Sequence, residues 1–308
     1  MKVVVAENCG FCPGVENAIS MAEKVLTRHR KASGEEKNVY SLGPIIHNSD
    51  VVQRLAKTGL KTVNSVSQIP QKPAGGTALV RSHGAAPNQI AELKEKGINI
   101  VDATCVLVKR VQRIAKQLDA EGFKVVVIGD ENHPEVQAVV GSATAVIVLA
   151  DESDLHKLPS NGKLGIVCQT TQSQEHFSRM LGAIGKHGFS ELKVINTLCK
   201  EAIKRQESAV QLCKQVDIMF VLGGLESANT RKLAELCKKY NSKTFHLQNW
   251  SEFDRNSVFA SPPRVFCRRQ NRGRGKNKAL PKIAGVTAGA STPEWIIAEF
   301  VENLTKIK

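Results

Sequence analysis

Ile-Asn-Ile-Val-Asp-Ala-Thr-Cys-Val-Leu-Val, residues 98–108, runs from a short apolar strand through Cys105 into a helical pattern. The same passage occurs at Ala-Glu-Asn-Cys-Gly-Phe-Cys-Pro-Gly-Val (6–15) and at Ile-Asn-Thr-Leu-Cys-Lys-Glu-Ala (195–202). Cys12 and Cys105 are 93 residues apart, and Cys105 and Cys199 are 94 apart. Near-equal spacing of one reactive residue type predicts a unit used three times. Three thiolates meeting at one point would hold an iron–sulfur cluster, or a metal with one position left open.

Outward from each cysteine the pattern is helix, strand, polar loop, helix, strand, second polar loop, helix, strand. After Cys105 a helix is predicted over 106–121 and a strand over 124–128, with further strands at 146–149, 165–167 and 192–195. Strands are likewise predicted at 3–6, 39–42, 77–80, 98–101, 218–222, 243–247 and 283–286. A helix over 292–304 closes the chain. Apolar residues recurring at helical period separate the strands: Val15, Ala18, Ile19, Ala22, Val25 and Leu26 are one such face. Strands alternating with helices predict an α/β fold of mostly parallel sheets, here three similar units arranged pseudo-threefold around a central cluster. The expected division is 1–104 with 283–308 packing on it, then 105–195, then 196–282. Ligands in such sheets gather beyond the carboxyl ends of the strands. The first polar loops follow Gly43, Gly129 and Gly223, and the second carry His83, Thr170/Thr171 and Ser291.

The 308 residues are 42% hydrophobic, enough for real cores, and no apolar run approaches a membrane span. The start, Met-Lys-Val-Val-Val-Ala, lacks the marks of a signal or transit peptide, which predicts a cytoplasmic protein. Eight cysteines in a chain of this length are not a disulfide scaffold; they read as buried thiols, ligands or catalytic groups. Residues 262–282 hold eight of the fourteen net positive charges and no acid, leaving six for the rest. That insertion has one aromatic, Phe266, so it lacks the interleaving of a stacking surface, and nucleic acid is not expected as a partner. The moderate positive charge elsewhere suits an anionic substrate or an acidic partner.

Several side chains at strand ends admit two readings. His47, His83 and His133 are structural or ligand-binding. Glu135 is a first-turn glutamate that complements the helix dipole, or an acid. Thr170 and Thr171 are caps or functional hydroxyls. Cys9 makes a Cys-x-x-Cys with Cys12, which taken alone points to redox or zinc chemistry.

The motifs together resemble the 4-hydroxy-3-methylbut-2-enyl diphosphate reductase family, also called LytB. They are Gly-Phe-Cys-Pro-Gly-Val (10–15), Gly-Pro-Ile-Ile-His-Asn (43–48), Ser-His-Gly (82–84), Asp-Ala-Thr-Cys (102–105), Asn-His-Pro-Glu-Val (132–136) and Gln-Thr-Thr (169–171). Asn-Thr-Leu-Cys with Arg-Gln (196–199, 205–206), Ser-Ala-Asn-Thr (227–230) and Gly-Val-Thr-Ala-Gly-Ala-Ser-Thr-Pro (285–293) complete the series. The resemblance implies reductive dehydroxylation of (E)-4-hydroxy-3-methylbut-2-enyl diphosphate to isopentenyl and dimethylallyl diphosphates. It implies a [4Fe-4S] cluster on Cys12, Cys105 and Cys199 with one open iron. His47, His83, His133, Thr171, Ser227, Asn229 and Ser291 would bind the diphosphate substrate. Glu135 would be the acid, with His133 and Thr171 assisting. It further implies a ferredoxin or flavodoxin electron donor and a monomer. Two positions depart from the family pattern: Val106 stands where proline is usual, and Ala202 where threonine is usual.

Overall fold

The computed structural model describes residues 1–31, 38–70, 76–259 and 281–307. Most of the basic insertion lies outside the described residues. Three four-stranded parallel sheets make up the protein. The first contains β2 (Val39–Leu42), β3 (Leu60–Val63), β4 (Thr77–Val80) and β5 (Asn99–Asp102), in the order β3-β2-β4-β5. The second contains β6 (Lys124–Ile128), β7 (Val146–Leu149), β8 (Lys163–Cys168) and β9 (Glu191–Val194), in the order β7-β6-β8-β9. The third contains β10 (Ile218–Leu222), β11 (Thr244–Leu247), β12 (Ile283–Ala288) and β1 (Lys2–Val5), in the order β11-β10-β12-β1. Written from the same end, all three orders are identical, and the N-terminal strand is the fourth member of the last sheet.

The expected packing of 283–308 on the segment 1–104 takes the form of a strand pair: β12 pairs with β1, and it pairs with β10 as well, in register from Lys2↔Ile283 and Ile218↔Ala284. Both chain ends thus complete the third sheet. The helix after Cys12, α1 (Pro13–Lys31), leaves that sheet and packs its predicted apolar face on the first one, against Val39, Leu60 and Leu79. The helix after Cys105, α4 (Val106–Ala120), likewise packs on the second sheet, and the helix after Cys199, α7 (Lys200–Cys213), on the third. Each cysteine therefore marks the step from one sheet to the next.

Central strands such as Val125-Val126-Val127-Ile128 are buried throughout because helices cover both faces of each sheet. β3 was not foreseen: its Leu-Lys-Thr-Val is half exposed, and only Leu60 is fully inside.

The repeat holds at the level of single hydrogen bonds. The amides of Gly43, Gly129 and Gly223 donate to Val63, Leu149 and Leu247 at 2.7, 3.0 and 2.9 Å, pinning each first loop to the neighbouring edge strand. The amides of Cys12, Cys105 and Cys199 donate to the carbonyls of Ala290, Ser82 and Thr170 at 3.2, 3.0 and 2.9 Å, pinning each cysteine to a second loop. His47, His133 and Ser227 are consequently equivalent positions, and so are His83, Thr171 and Ser291.

Candidate active site

Cys12, Cys105 and Cys199 line one cavity of about 110 Å³. Cys105 and Cys199 are the N-caps of α4 and α7, and Cys12 directly precedes α1. The sulfur of Cys105 accepts from the first-turn amides of Leu107 and Val108, and that of Cys199 from Glu201 and Ala202. Helix amides and dipoles of this kind favour an anionic sulfur, while burial of the two thiols pushes them the other way. Gly14 lets the thiols converge: a Cβ there would lie 2.8 Å from the Cys105 sulfur and 3.9 Å from the Cys12 sulfur. Three thiols with no disulfide, aimed into one cavity from helix N-termini, are a soft donor set that fits an iron–sulfur cluster.

His47 and His83 line the same cavity, and His133 stands beside them. The rings of His47, His83 and His133 lie 4.7, 5.4 and 6.2 Å apart between centroids, and one nitrogen from each falls within 4.8 Å of the others. His133 caps α5 (Pro134–Val140), its Nδ1 accepting the Glu135 amide at 3.2 Å. An accepting Nδ1 puts the ring proton on Nε2, so this histidine offers the site a donor rather than a lone pair. That tautomer suits an anion. Burial holds all three rings below the ordinary imidazole range, His133 down to about 3, with mutual repulsion and Arg81 adding to it. The rings are thus neutral in the free protein, not the doubly donating cations that phosphate binding calls for. His47 Nε2 and Asn229 Nδ2 are buried and have no hydrogen-bond partner among the described residues. Leaving such groups unpaired is costly, and a bound anion satisfies those that donate.

Glu135 is 1% exposed, in the first turn of α5. Its two oxygens accept from the Thr170 amide at 2.6 Å and the Thr170 hydroxyl at 2.8 Å. Burial raises the carboxyl above its ordinary range, and the two Thr170 bonds oppose the rise without cancelling it. Thr171, expected to orient substrate near this acid, lines the same cavity, and its hydroxyl accepts from Gln169 at 3.2 Å; the amide that faces Glu135 belongs to Thr170, whose carbonyl holds Cys199.

Of the residues expected to hold the cluster, bind substrate or supply the proton, all but His133 line the cavity, and His133 packs with the other two rings. Ser227 caps α8 (Ala228–Tyr240), accepting from Thr230. Ser291 donates to the His47 carbonyl at 3.1 Å, stitching the first unit to the third. At the same seam a Cβ on Gly224 would lie 2.8 Å from that carbonyl, so glycine permits the close approach. α10 (Glu294–Thr305) begins two residues later than predicted, with Pro293 as its N-cap, so Ser291 is not its first turn. Ala202 lines the cavity with a methyl, whereas Val106 is 75% exposed, so that departure from pattern lies on the surface. Cys9 is not among the cavity residues and packs beside the third sheet; burial raises its thiol to about 11. Sequence reasoning missed Gly14, Thr170 as the partner of the acid, and Arg205, although each lies within a quoted motif.

A family model described as LytB protein matches residues 3–305. A protein of Pelobacter propionicus named 4-hydroxy-3-methylbut-2-enyl diphosphate reductase is 39% identical over 308 residues, covering all of this chain and 99% of the relative. One of the same name from Geotalea uraniireducens is 40% identical over 308 residues, covering 98% of the relative. A solved structure of (E)-4-hydroxy-3-methyl-but-2-enyl diphosphate reductase, described as the terminal enzyme of the non-mevalonate pathway, is 36% identical with a TM-score of 0.65 and full coverage of both chains. The Plasmodium falciparum E-1-hydroxy-2-methyl-but-2-enyl-4-diphosphate reductase has a TM-score of 0.83 at 24% identity, covering 99% of this chain and 88% of that one, which speaks to the fold.

Proposed function

Because the chain belongs to the LytB protein family, we propose that it is a 4-hydroxy-3-methylbut-2-enyl diphosphate reductase, acting at the end of the non-mevalonate route to isoprenoids. The observation that carries this reading is one small cavity lined both by three thiols and by anion-suited donors.

Cys12, Cys105 and Cys199 would hold a [4Fe-4S] cluster with one iron left open. When bound, the cluster supplies electrons and a Lewis-acidic site for the substrate's alcohol end. The chain's own residues account for the rest. His133 donates from Nε2, and His47, His83, Ser227 and Asn229 line the cavity, where the diphosphate would be held. A diphosphate beside the rings reverses the burial effect and draws protons onto them. Ser291 turns its hydroxyl from the His47 carbonyl to the anion. Burial lets Glu135 hold its proton to higher pH than an ordinary carboxyl. The Thr170 hydroxyl, 2.8 Å from that carboxyl and in the cavity wall, is placed to accept the Glu135 proton on its oxygen as it gives its own proton toward the substrate. Thr171 is a neighbouring contact for the substrate.

The electrons would come one at a time from a small carrier such as a ferredoxin or flavodoxin, with the chain working as a monomer. Thiolate-held clusters need reducing surroundings, which supports the cytoplasm. Among the described residues no helix is long and apolar enough to cross a membrane. Incubating the anaerobically purified protein with the hydroxylated diphosphate and a chemical reductant tests the activity. Formation of the two dehydroxylated diphosphates is expected; unchanged substrate with an intact cluster would refute it.

A further inference from the structure

Arg205 is 4% exposed, on α7 six residues beyond Cys199. Its Nη1 donates to the carbonyls of Asn8 and Ala288, both at 3.1 Å. Those carbonyls precede Cys12 and Ala290 in the chain, so the guanidinium is held by two segments that also line the cavity. Its Nε is buried and has no hydrogen-bond partner among the described residues. It forms no ion pair with a described carboxylate. Glu201, one turn earlier, pairs with Lys204 at 3.4 Å and reaches Arg205 only through its field. Among the described residues that line the cavity, Arg205 is the only lysine or arginine.

A buried guanidinium without a counter-ion is strongly disfavoured, so a fold that keeps one has an anion for it. Burial acts on Arg205 most and disfavours its charge; of the neighbouring groups that oppose this, Cys12 comes first, then Cys9, Glu201 and Cys199. Two of these are the proposed cluster ligands. As ligands they would carry negative charge in the same cavity that Arg205 lines, where its Nε–H has no partner among the described residues.

We propose that Arg205 is the counter-charge of the thiolate-held group, with its Nε–H as the donor left for sulfur. It is a positioning residue and takes no part in proton transfer. A fixed positive charge beside a cluster favours the state that carries the extra electron, and hydrogen bonds to sulfur act the same way. Arg205 therefore holds the reduction potential up, within reach of a one-electron donor. This inference rests on the reading that Cys12, Cys105 and Cys199 hold an iron–sulfur cluster.

The test is a redox titration of the anaerobic holoprotein, wild type against R205Q and R205K, with iron and sulfide measured on each sample. R205Q should titrate at a more negative midpoint than wild type, and R205K, which keeps the charge, should recover part of the shift. An R205Q midpoint equal to wild type at full iron content overturns the assignment. If R205Q takes up no cluster, thermal melts of the cluster-free proteins decide. A cluster-free R205Q as heat-stable as cluster-free wild type supports the counter-charge; a markedly lower melting temperature makes Arg205 a structural staple and overturns it. Wild-type protein without iron would instead defeat the underlying reading.

Discussion

The hydroxyl of Thr170 stands 2.8 Å from one oxygen of Glu135 while the amide of the same residue stands 2.6 Å from the other. A carboxyl held by both groups of one residue is fixed in direction, and its burial keeps a proton on it to higher pH than usual. Glu135→Gln preserves the shape and removes the acid. It should keep a brown cluster and lower kcat by about 10²–10⁴-fold, the usual worth of a positioned acid. Wild-type kcat should also fall as pH rises through the elevated Glu135 value, and the residual activity of the glutamine variant should lack that limb. Normal turnover of E135Q would remove the acid role.

Thr170 and Thr171 are adjacent but placed differently, so paired valine substitutions separate them. Thr170→Val keeps the amide bond to Glu135 and loses the hydroxyl. About 10- to 100-fold should be lost from kcat, the range for a hydrogen bond to an ionisable group. Thr171→Val leaves both Glu135 bonds intact and should act chiefly on KM. Steady-state kinetics with the larger kcat loss in T171V would contradict this geometry.

The three imidazoles are neutral in the free protein, and a bound diphosphate raises their affinity for protons. Their pKa values are depressed before binding and higher after it, so protons are taken up on binding between those limits. Affinity should strengthen as pH falls through that window and weaken above it. Calorimetry of diphosphate binding in two buffers of different ionisation enthalpy reads the uptake directly. His133→Asn should reduce the uptake and raise KM by about 10- to 100-fold, as expected for one charge-assisted hydrogen bond. Binding with no buffer dependence would show that the rings stay neutral.

Gly14→Ala separates packing from ligand geometry. Replacing a helical glycine by alanine usually stabilises a helix by about 1 kcal/mol. Here the new methyl would sit 2.8 Å from the Cys105 sulfur. The variant should displace the Cys105 thiol and hold less iron per chain after anaerobic reconstitution, with any change in the thermal stability of the cluster-free protein limited to about 1 kcal/mol. Full iron content would mean that the thiols do not need this close approach.

Much of the fold was legible because buried parallel strands are written in uninterrupted apolar runs. β2, β4, β6, β7 and β10 end where Val39–Leu42, Thr77–Val80, Lys124–Ile128, Val146–Leu149 and Ile218–Leu222 predict. β3 was illegible for the converse reason: its Lys61 and Thr62 face solvent. That β1 joins the sheet of β10 was hidden because the two are far apart in sequence, and neighbours in sequence are the natural first guess for neighbours in space. The site divides similarly. Residue type and loop position were enough to gather the cysteines, histidines and Glu135. Which of two adjacent threonines faces the acid depends on backbone direction at the Cys199–Thr170 bond, and that is not encoded in residue type. Gly14 and Arg205 act through closeness and burial, which only the folded chain reveals.

The most direct measurement of the central claim is iron and acid-labile sulfide analysis of anaerobically purified protein, wild type beside Cys105→Ser, with visible and electron paramagnetic resonance spectra. The three-thiol cavity predicts a brown wild-type protein with iron and sulfide in about equal amounts, near four of each per chain for a [4Fe-4S] cluster, and a C105S variant that loses them. A colourless wild type carrying stoichiometric zinc, or an unchanged spectrum in C105S, would contradict it.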